Sequence, residues 1–346
     1  MTPVDLTAIV LWLGLTAYAV LGGADFGGGF WDLVAGGSET GRRPRALIAD
    51  AIGPVWEANH TWLIFDLVIL WTAFPEAFQA IMSTLFIPLS LAALGILLRG
   101  AAFAFRPVAE SLAGKRAAGG VFAASSVVAP FFLGAAAGAI ASGRVVAGDP
   151  APDLIGSWLN PTSVLIGLLA VAVCAYIAAV FLIADAQRLH RPDLARYFLR
   201  RATLGAVVAG ALSIAGIAVV QMDAPVLAGE LVRDGWPFVV AAGAFGTVAL
   251  VRLATGSLRG TRVLAVAAVV ALVWGWGVAQ YPYILPDTLT LAQAAAPPGS
   301  QEALLVVFIV AAVLIAPSLA LLFVLDQRSH LETEGLGADA AERAAD

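Results

Sequence analysis

Residues 54–75 read PVWEANHTWLIFDLVILWTAFP. The stretch has the length of a membrane-crossing helix, since roughly 20 apolar residues span a hydrocarbon core about 30 Å thick. Yet it carries Glu57, His60 and Asp66. An ionisable group inside a span costs about 2.5–3.5 kcal/mol on insertion scales unless it is paired, hydrated or near an end. If this stretch is a span, those three residues need a reason to be there.

The rest of the chain makes it one. Of 346 residues, 60% are hydrophobic and only 12% charged, and the mean hydropathy is +0.91. A soluble domain carries about 25% charged and about 45–50% apolar residues, so this chain has too little polar surface to coat a globule. Apolar runs of spanning length fall near residues 6–26, 53–74, 78–100, 119–141, 161–184, 202–221, 236–254, 261–280 and 303–325. They lack the short alternation of outer-membrane strands, which leaves helices as the spanning structure. The expectation is an all-α integral membrane protein with nine transmembrane helices. Asp5 and no Lys or Arg precede the first run, so it lacks the positive start of a secretory signal and is expected to be retained. Cys174 is the only cysteine, which excludes an internal disulfide.

Basic residues set the orientation. Arg42, Arg43, Arg45, Arg106, Lys115, Arg116, Arg188, Arg191, Arg196, Arg200, Arg201, Arg252, Arg259 and Arg262 occupy alternate connections. Only Arg144 and Arg233 lie in the others. The positive-inside rule therefore puts the amino terminus outside and the carboxyl terminus in the cytoplasm, as an odd number of spans requires. With a net charge of −5 and no basic stripe, nucleic acid is excluded as a partner, and membrane lipids are the expected contacts of the arginines.

A loop containing GDPAPDLIGSWLNP divides the chain. Residues 1–146 form a first four-helix bundle, 147–160 an extracytoplasmic loop, and 161–282 a second four-helix bundle. Residues 283–326 supply an outer loop and a ninth, peripheral helix, and 327–346 a polar, acidic tail expected to be disordered. AVLGGAD at 19–25 and AVFLIAD at 179–185 are a faint echo of a parallel duplication. Gly134 and Gly138 place a GxxxG packing motif in the fourth span, and Pro88 is expected to kink the third.

Depth brings the charges together. Asp25 falls near the inner end of the first span, Glu57 about one turn into the second, and Arg99 near the inner end of the third. Arg99 is expected to pair with Glu57 or Asp25. On the helical wheel Glu57, His60, Thr61 and Ile64 share one face, with Trp62 and Asp66 roughly opposite. Each residue has a second reading. Asp25 either serves function or caps a helix among glycines, and Glu57 either handles protons or only balances Arg99. His60 is a haem ligand or a hydrogen-bonded packing residue. Asp66 is functional or bonded to a neighbouring helix. Trp31, Trp56, Trp71, Trp158 and Trp236 read mostly as an interfacial belt. Haem iron takes His, Met, Cys or Tyr ligands, and His60 is the only histidine within the spans. The chain alone therefore cannot hold a multi-haem centre. HExxH, Walker, Rossmann and cysteine-cluster motifs are missing, so its chemistry is expected to be completed by a partner.

GGADFGGGFWDL at 22–33 followed by GPVWEANHTWLI at 53–64 resembles the paired motifs of subunit II of cytochrome bd-type quinol oxidases. That family shows approximately DGFDxGxG, then a PxWDGNxxWL-like opening of the second span, then an Arg closing the third. The resemblance implies a multi-pass subunit of a respiratory terminal oxidase in the bacterial cytoplasmic membrane, reducing oxygen to water with electrons from quinol. It places haem b and haem d in a partner, subunit I, with no haem in this chain and a structural quinone in some members. Small accessory membrane subunits are left open. It assigns this chain support of subunit I and a cytoplasmic proton path, with Asp25 and Glu57 at the acids of the two motifs; His60, beside Glu57, and Asp66, on burial alone, are added to that path from their place in the second span. Arg99 and Trp62 match the family Arg and Trp as supporting residues. No catalytic residue and no metal site is expected. The departures are Gly22 or Gly23 in place of the first acid, Glu57-Ala58 for Asp-Gly, and Asp66, which has no counterpart. The rival reading is a stand-alone proton-coupled secondary transporter built around Asp66, although matching Gly/Pro breaks in the two halves are missing.

Overall fold

The computed structural model describes residues 2–37, 40–53, 56–106, 108, 111–149 and 151–327. The expected disordered tail lies outside them, apart from Gln327. The chain opens with a Thr2–Asp5 capping box and Pro3 at the first helical position, which satisfy the free amides of helix α1 (Pro3–Ala17). A π-helical turn, Tyr18–Gly22, leads into α2 (Gly23–Leu33), and the three form one apolar span of 31 residues. The glycine-rich segment is thus helical to Leu33. Asp25 caps nothing and sits about 12 Å before the helix end.

An amphipathic helix, α3 (Arg42–Ile52), buries Leu47, Ile48 and Ile52 between the first and second spans. Then come α4 (Trp56–Ala73), α5 (Pro75–Thr84), α6 (Phe86–Phe105), α7 (Leu112–Ala141), α8 (Pro161–Arg188) and α9 (Pro192–Asp223). The chain continues through α10 (Pro225–Arg233), α11 (Trp236–Ala254) and α12 (Thr261–Gln280). A small antiparallel hairpin, β1 (Tyr283–Leu285) and β2 (Leu289–Thr290), precedes α13 (Leu291–Ala294) and α14 (Pro298–Gln327).

Among the described residues, eight helices are long and apolar enough to cross a membrane, or nine if α4 and α5, bent by 119°, count as one span. The bend has a local cause. Phe74 leaves the helical region at φ −135° and ψ 60°, and Pro75 offers no amide to continue the ladder. The run expected at 78–100 is accordingly divided, with α5 ending at Thr84 and α6 starting at Phe86. Pro88 therefore lies in the first turn of α6, where its missing N–H needs no partner, and does not kink mid-span.

Helix α8 lies at the centre, packed along α2, α7 and α9 and buried from Cys174 to Val180. Without a hydrophobic drive between helices in lipid, close contact depends on small residues. Gly134 and Gly138 of α7 meet Gly167 and Ser163 of α8, and a Cβ on Gly134 would come within 2.7 Å of Ala170. A Cβ on Gly27 would collide with the Cys174 carbonyl. Trp31 does not join an interfacial belt. It is 5% exposed and donates its Nε1–H to the Ala175 carbonyl at 2.7 Å, tying α2 to α8. Trp71 and Trp236 are exposed.

One end of the molecule is held by ion pairs. Buried Asp32 bridges Arg45 and Arg106, each at 2.8 Å, and so links α2, α3 and the end of α6. At the other end Arg144 meets Asp223 at 2.8 Å, which also accepts from Thr162. Gly27→Ala is expected to lower stability by roughly 1–3 kcal/mol through overpacking of α2 on α8. This reads as a fall in the thermal midpoint of the detergent-solubilised protein. Gly243→Ala, with nothing within 4 Å of the new methyl, should leave the midpoint unchanged.

Candidate functional site

The site begins where the first span departs from regular α-helix. The π turn carries Tyr18, whose Oη lies 3.3 Å from His60 Nδ1 on α4. Such single π turns often sit at functional positions because they re-aim a side chain. His60 Nε2 in turn lies 3.2 Å from Arg99 Nη1 on α6. Arginine can only donate, so Nε2 accepts, the neutral ring carries its proton on Nδ1, and that proton points to Tyr18. Both ring nitrogens are engaged.

Arg99 is 1% exposed and gathers acceptors from three other helices. Its Nε donates to Ser126 Oγ of α7 at 3.1 Å, and its Nη2 to the Asp25 carbonyl of α2 at 2.9 Å. Phe26 and Phe122 stack on the guanidinium at 5.3 and 5.0 Å. Gly29 makes room for this arrangement, because a side chain there would strike Ser126. The Asp25 carboxylate is buried and accepts from Asn59 Nδ2 at 2.9 Å. The expected Arg99 ion pair is therefore not a carboxylate pair. Arg99 takes the main-chain oxygen of Asp25, and Asn59 takes the side chain.

Glu57 stands apart. It is exposed on the face that also carries Thr61 and Ile64, and it makes no ion pair or hydrogen bond with the described residues. The wheel places these three together correctly, but the buried side of α4 is the one with Asn59, Asp66, Ile69 and Ala73. His60 reaches inward from the border between them. Asp66 is buried against α1 at Gly14, a position where a side chain would collide with its carboxylate. Neither of its oxygens has a hydrogen-bond partner among the described residues, so it is not bonded to a neighbouring helix. The buried indole N–H of Trp62 is also unpartnered, and the ring packs 5.8 Å from Phe65. Gly14 is one helical turn before Tyr18, which puts Asp66 next along α1 from the Tyr18–His60 contact.

Of the four expected proton-path residues, the fold thus joins Asp25 and His60 through Arg99 and Asn59. It sets Asp66 beside them and turns Glu57 away. Sequence reasoning missed Tyr18, Asn59, Ser126 and Asp32. Asn59 and Asp32 lie inside the two quoted motifs, and Ser125-Ser126 interrupts an apolar run. Tyr18 leaves no such signal. Among the described residues no group of three or more His, Cys, Asp or Glu is arranged to hold a metal ion. Outside the spans, burial lifts the Asp50 carboxyl of α3 above its ordinary value, opposed by Arg191.

A multi-span helical membrane protein whose first spans close over a buried arginine, histidine and carboxylate is the class these features define. Residues 4–325 match the family described as cytochrome bd terminal oxidase subunit II, and the chain belongs to that family. The cytochrome bd ubiquinol oxidase subunit 2 of Bacillus subtilis (strain 168) is 26% identical over 232 residues. That match covers 66% of this chain, which spans 66% of that relative's length. The structure of bd oxidase from Geobacillus thermodenitrificans holds a chain that superposes with a TM-score of 0.73 at 24% identity. The match covers 93% of this chain and 98% of that one, so the fold is shared. The resemblance carried by GGADFGGGFWDL and GPVWEANHTWLI holds.

Arg99→Met would strip the acceptors on α2, α4 and α7 of their common donor. The expected loss is about 3–5 kcal/mol, as for other broken buried charge networks. Arg99→Lys should recover only part of it, since one ammonium cannot reach the same fork of acceptors. Thermal midpoints of the purified variants measure both.

Proposed function

We propose that this chain is the haem-free subunit of a membrane quinol:oxygen oxidoreductase in the bacterial cytoplasmic membrane. It supports a partner, subunit I, that holds haem b and haem d, and it lines a path for cytoplasmic protons toward the haem that reduces oxygen. Family membership supports the oxidase role. The observation that carries the proton path is the buried polar line Tyr18, His60, Arg99, Asp25 and Asn59 through the first three spans, with buried Asp66 one turn along α1 from Tyr18.

The chemistry demands such a path. Reduction of one O2 to two waters takes four electrons and four protons. Two quinols supply the electrons, and protons drawn from the cytoplasm would charge the membrane without a pump. In hydrocarbon, a polar line is kept only where it is satisfied or used. Asp25 and Asp66 are the carboxylates able to hold and release protons, and Tyr18 and His60 lie between them. Arg99 does not titrate in this role and positions the rest. Glu57 faces outward on α4, where an ionised carboxylate against lipid is costly, and we assign that face to contact with subunit I. The basic connections support an outside amino terminus and a cytoplasmic carboxyl terminus, and the division into two four-helix bundles and a peripheral α14 is retained. Asp66 is also what a stand-alone proton-coupled transporter would need, but family membership favours the oxidase subunit.

The test is oxygen consumption with quinol by the assembled complex, alongside its haem spectra. Asp25→Asn is expected to lower turnover at least about a hundredfold with spectra intact, the low end of the usual worth of a positioned proton-transfer group. Wild-type turnover would sink the proton role, and lost haem spectra would assign Asp25 to assembly instead. Asp66→Asn removes a carboxylate that has no partner to lose. It is expected to leave the thermal midpoint no lower than that of wild type, since no hydrogen bond is lost, while slowing turnover. A large stability loss would mean that Asp66 is structural.

A further inference from the structure

A groove of about 470 Å³ runs between α2, α8 and α9, lined by none of the residues of the polar line. That is the size of a small-ligand site, roughly 300–1,000 Å³. Its walls are apolar, formed by Phe30, Trp31, Ala175, Leu204 and Val208, and no Asp or Glu among the described residues lines it. Leu204 and Val208 are 58% and 42% exposed, so the groove opens sideways where a membrane helix meets acyl chains.

One end is different. Arg200 and Arg201, in the first turns of α9, line the groove there. Arg200 is exposed, and neither residue has an ion-pair partner among the described residues. The Arg201 guanidinium lies flat on the Tyr197 ring, 3.3 Å from its centroid, and 5.7 Å from the Trp31 ring. Its buried Nε has no hydrogen-bond partner. Three other arginines at this end already have carboxylate partners: Asp32 holds Arg45 and Arg106, and Asp193 holds Arg43 at 2.8 Å. Two unneutralised cations therefore sit at the interfacial end of an apolar slot whose other walls face the bilayer. Arginine matches a phosphate fork, and anionic headgroups draw basic side chains at this depth.

We infer that this groove is a specific site for an anionic phospholipid, with one acyl chain along Phe30, Trp31, Leu204 and Val208 and its phosphate on Arg200 and Arg201. The lipid joins α2 to α9 across a seam that protein contacts leave open. The site is independent of the proton path, because none of its residues belongs to that line.

The experiment uses the full chain in its purified complex, delipidated in a neutral detergent and titrated with phosphatidylglycerol or phosphatidylcholine. Bound lipid is counted by native mass spectrometry. Wild type is expected to hold phosphatidylglycerol about tenfold more tightly than phosphatidylcholine, the order of magnitude for two basic contacts. Arg200→Gln with Arg201→Gln should lose one bound phosphatidylglycerol. Leu204→Trp, which fills the slot and leaves the arginines in place, should lose the same one. The second variant decides the matter if the first does not fold. Equal affinity for the two lipids in wild type would overturn the proposal. So would undiminished phosphatidylglycerol in the variants, or a quinone or protein segment recovered from the groove.

Discussion

A guanidinium buried in the middle of a membrane protein has to be solvated by the protein itself, and Arg99 shows how this chain does it. No carboxylate oxygen of the described residues forms an ion pair with it. Its hydrogen bonds go to a main-chain carbonyl, a serine hydroxyl and an imidazole nitrogen from three different helices, and two phenyl rings cover its faces. Desolvating such an ion costs several kcal/mol, which is recovered only when every acceptor is in place. Much of the geometry around it follows from that requirement. Gly29 is bare so that Ser126 can approach, the π turn brings Tyr18 to the far nitrogen of His60, and Asn59 occupies the carboxylate that Arg99 leaves alone.

The remainder of the fold frames this centre with small residues. Lipid is as apolar as leucine, so helices gain nothing by hiding leucine from it and associate through close van der Waals contact. That explains why α8, rich in alanine and with Gly167 against α7, is buried most deeply. By contrast α14 keeps Val306, Val307, Ile309 and Val313 on its surface. At the end opposite the Arg144–Asp223 pair, the Asp32 clamp does with charge what glycine does inside the membrane, drawing α2, α3 and α6 together.

Composition and run length were enough to read the class of fold, because hydrocarbon imposes its constraint on every residue of a span. The two motifs were enough to read the family, and depth along neighbouring spans put Asp25, Glu57 and Arg99 near one another, of which the fold keeps Asp25 and Arg99 together and turns Glu57 outward. Periodicity could not tell which face of α4 turns inward, since Glu57 and Asp66 both sit on polar stripes and only contact with α1 and α6 separates them. Pro88 shows the same limit. A proline reads as a kink when it is thought to be mid-span, and its place in the first turn depends on the break at Leu85, which no residue type announces.

What the sequence determined by itself is therefore what depends on additive or local quantities: apolar length, and a pair of motifs bearing specific side chains. Directional matters were left to the tertiary structure. These include the Asp25 carbonyl in place of its carboxylate, Tyr18 facing His60, Asp66 against Gly14 with no hydrogen-bond partner among the described residues, and two arginines with no ion pair among them at the end of a groove. A hydrogen bond or a cleft is set by the relative rotation of separate helices. That rotation is fixed by packing among residues far apart in the chain, and no single segment encodes it.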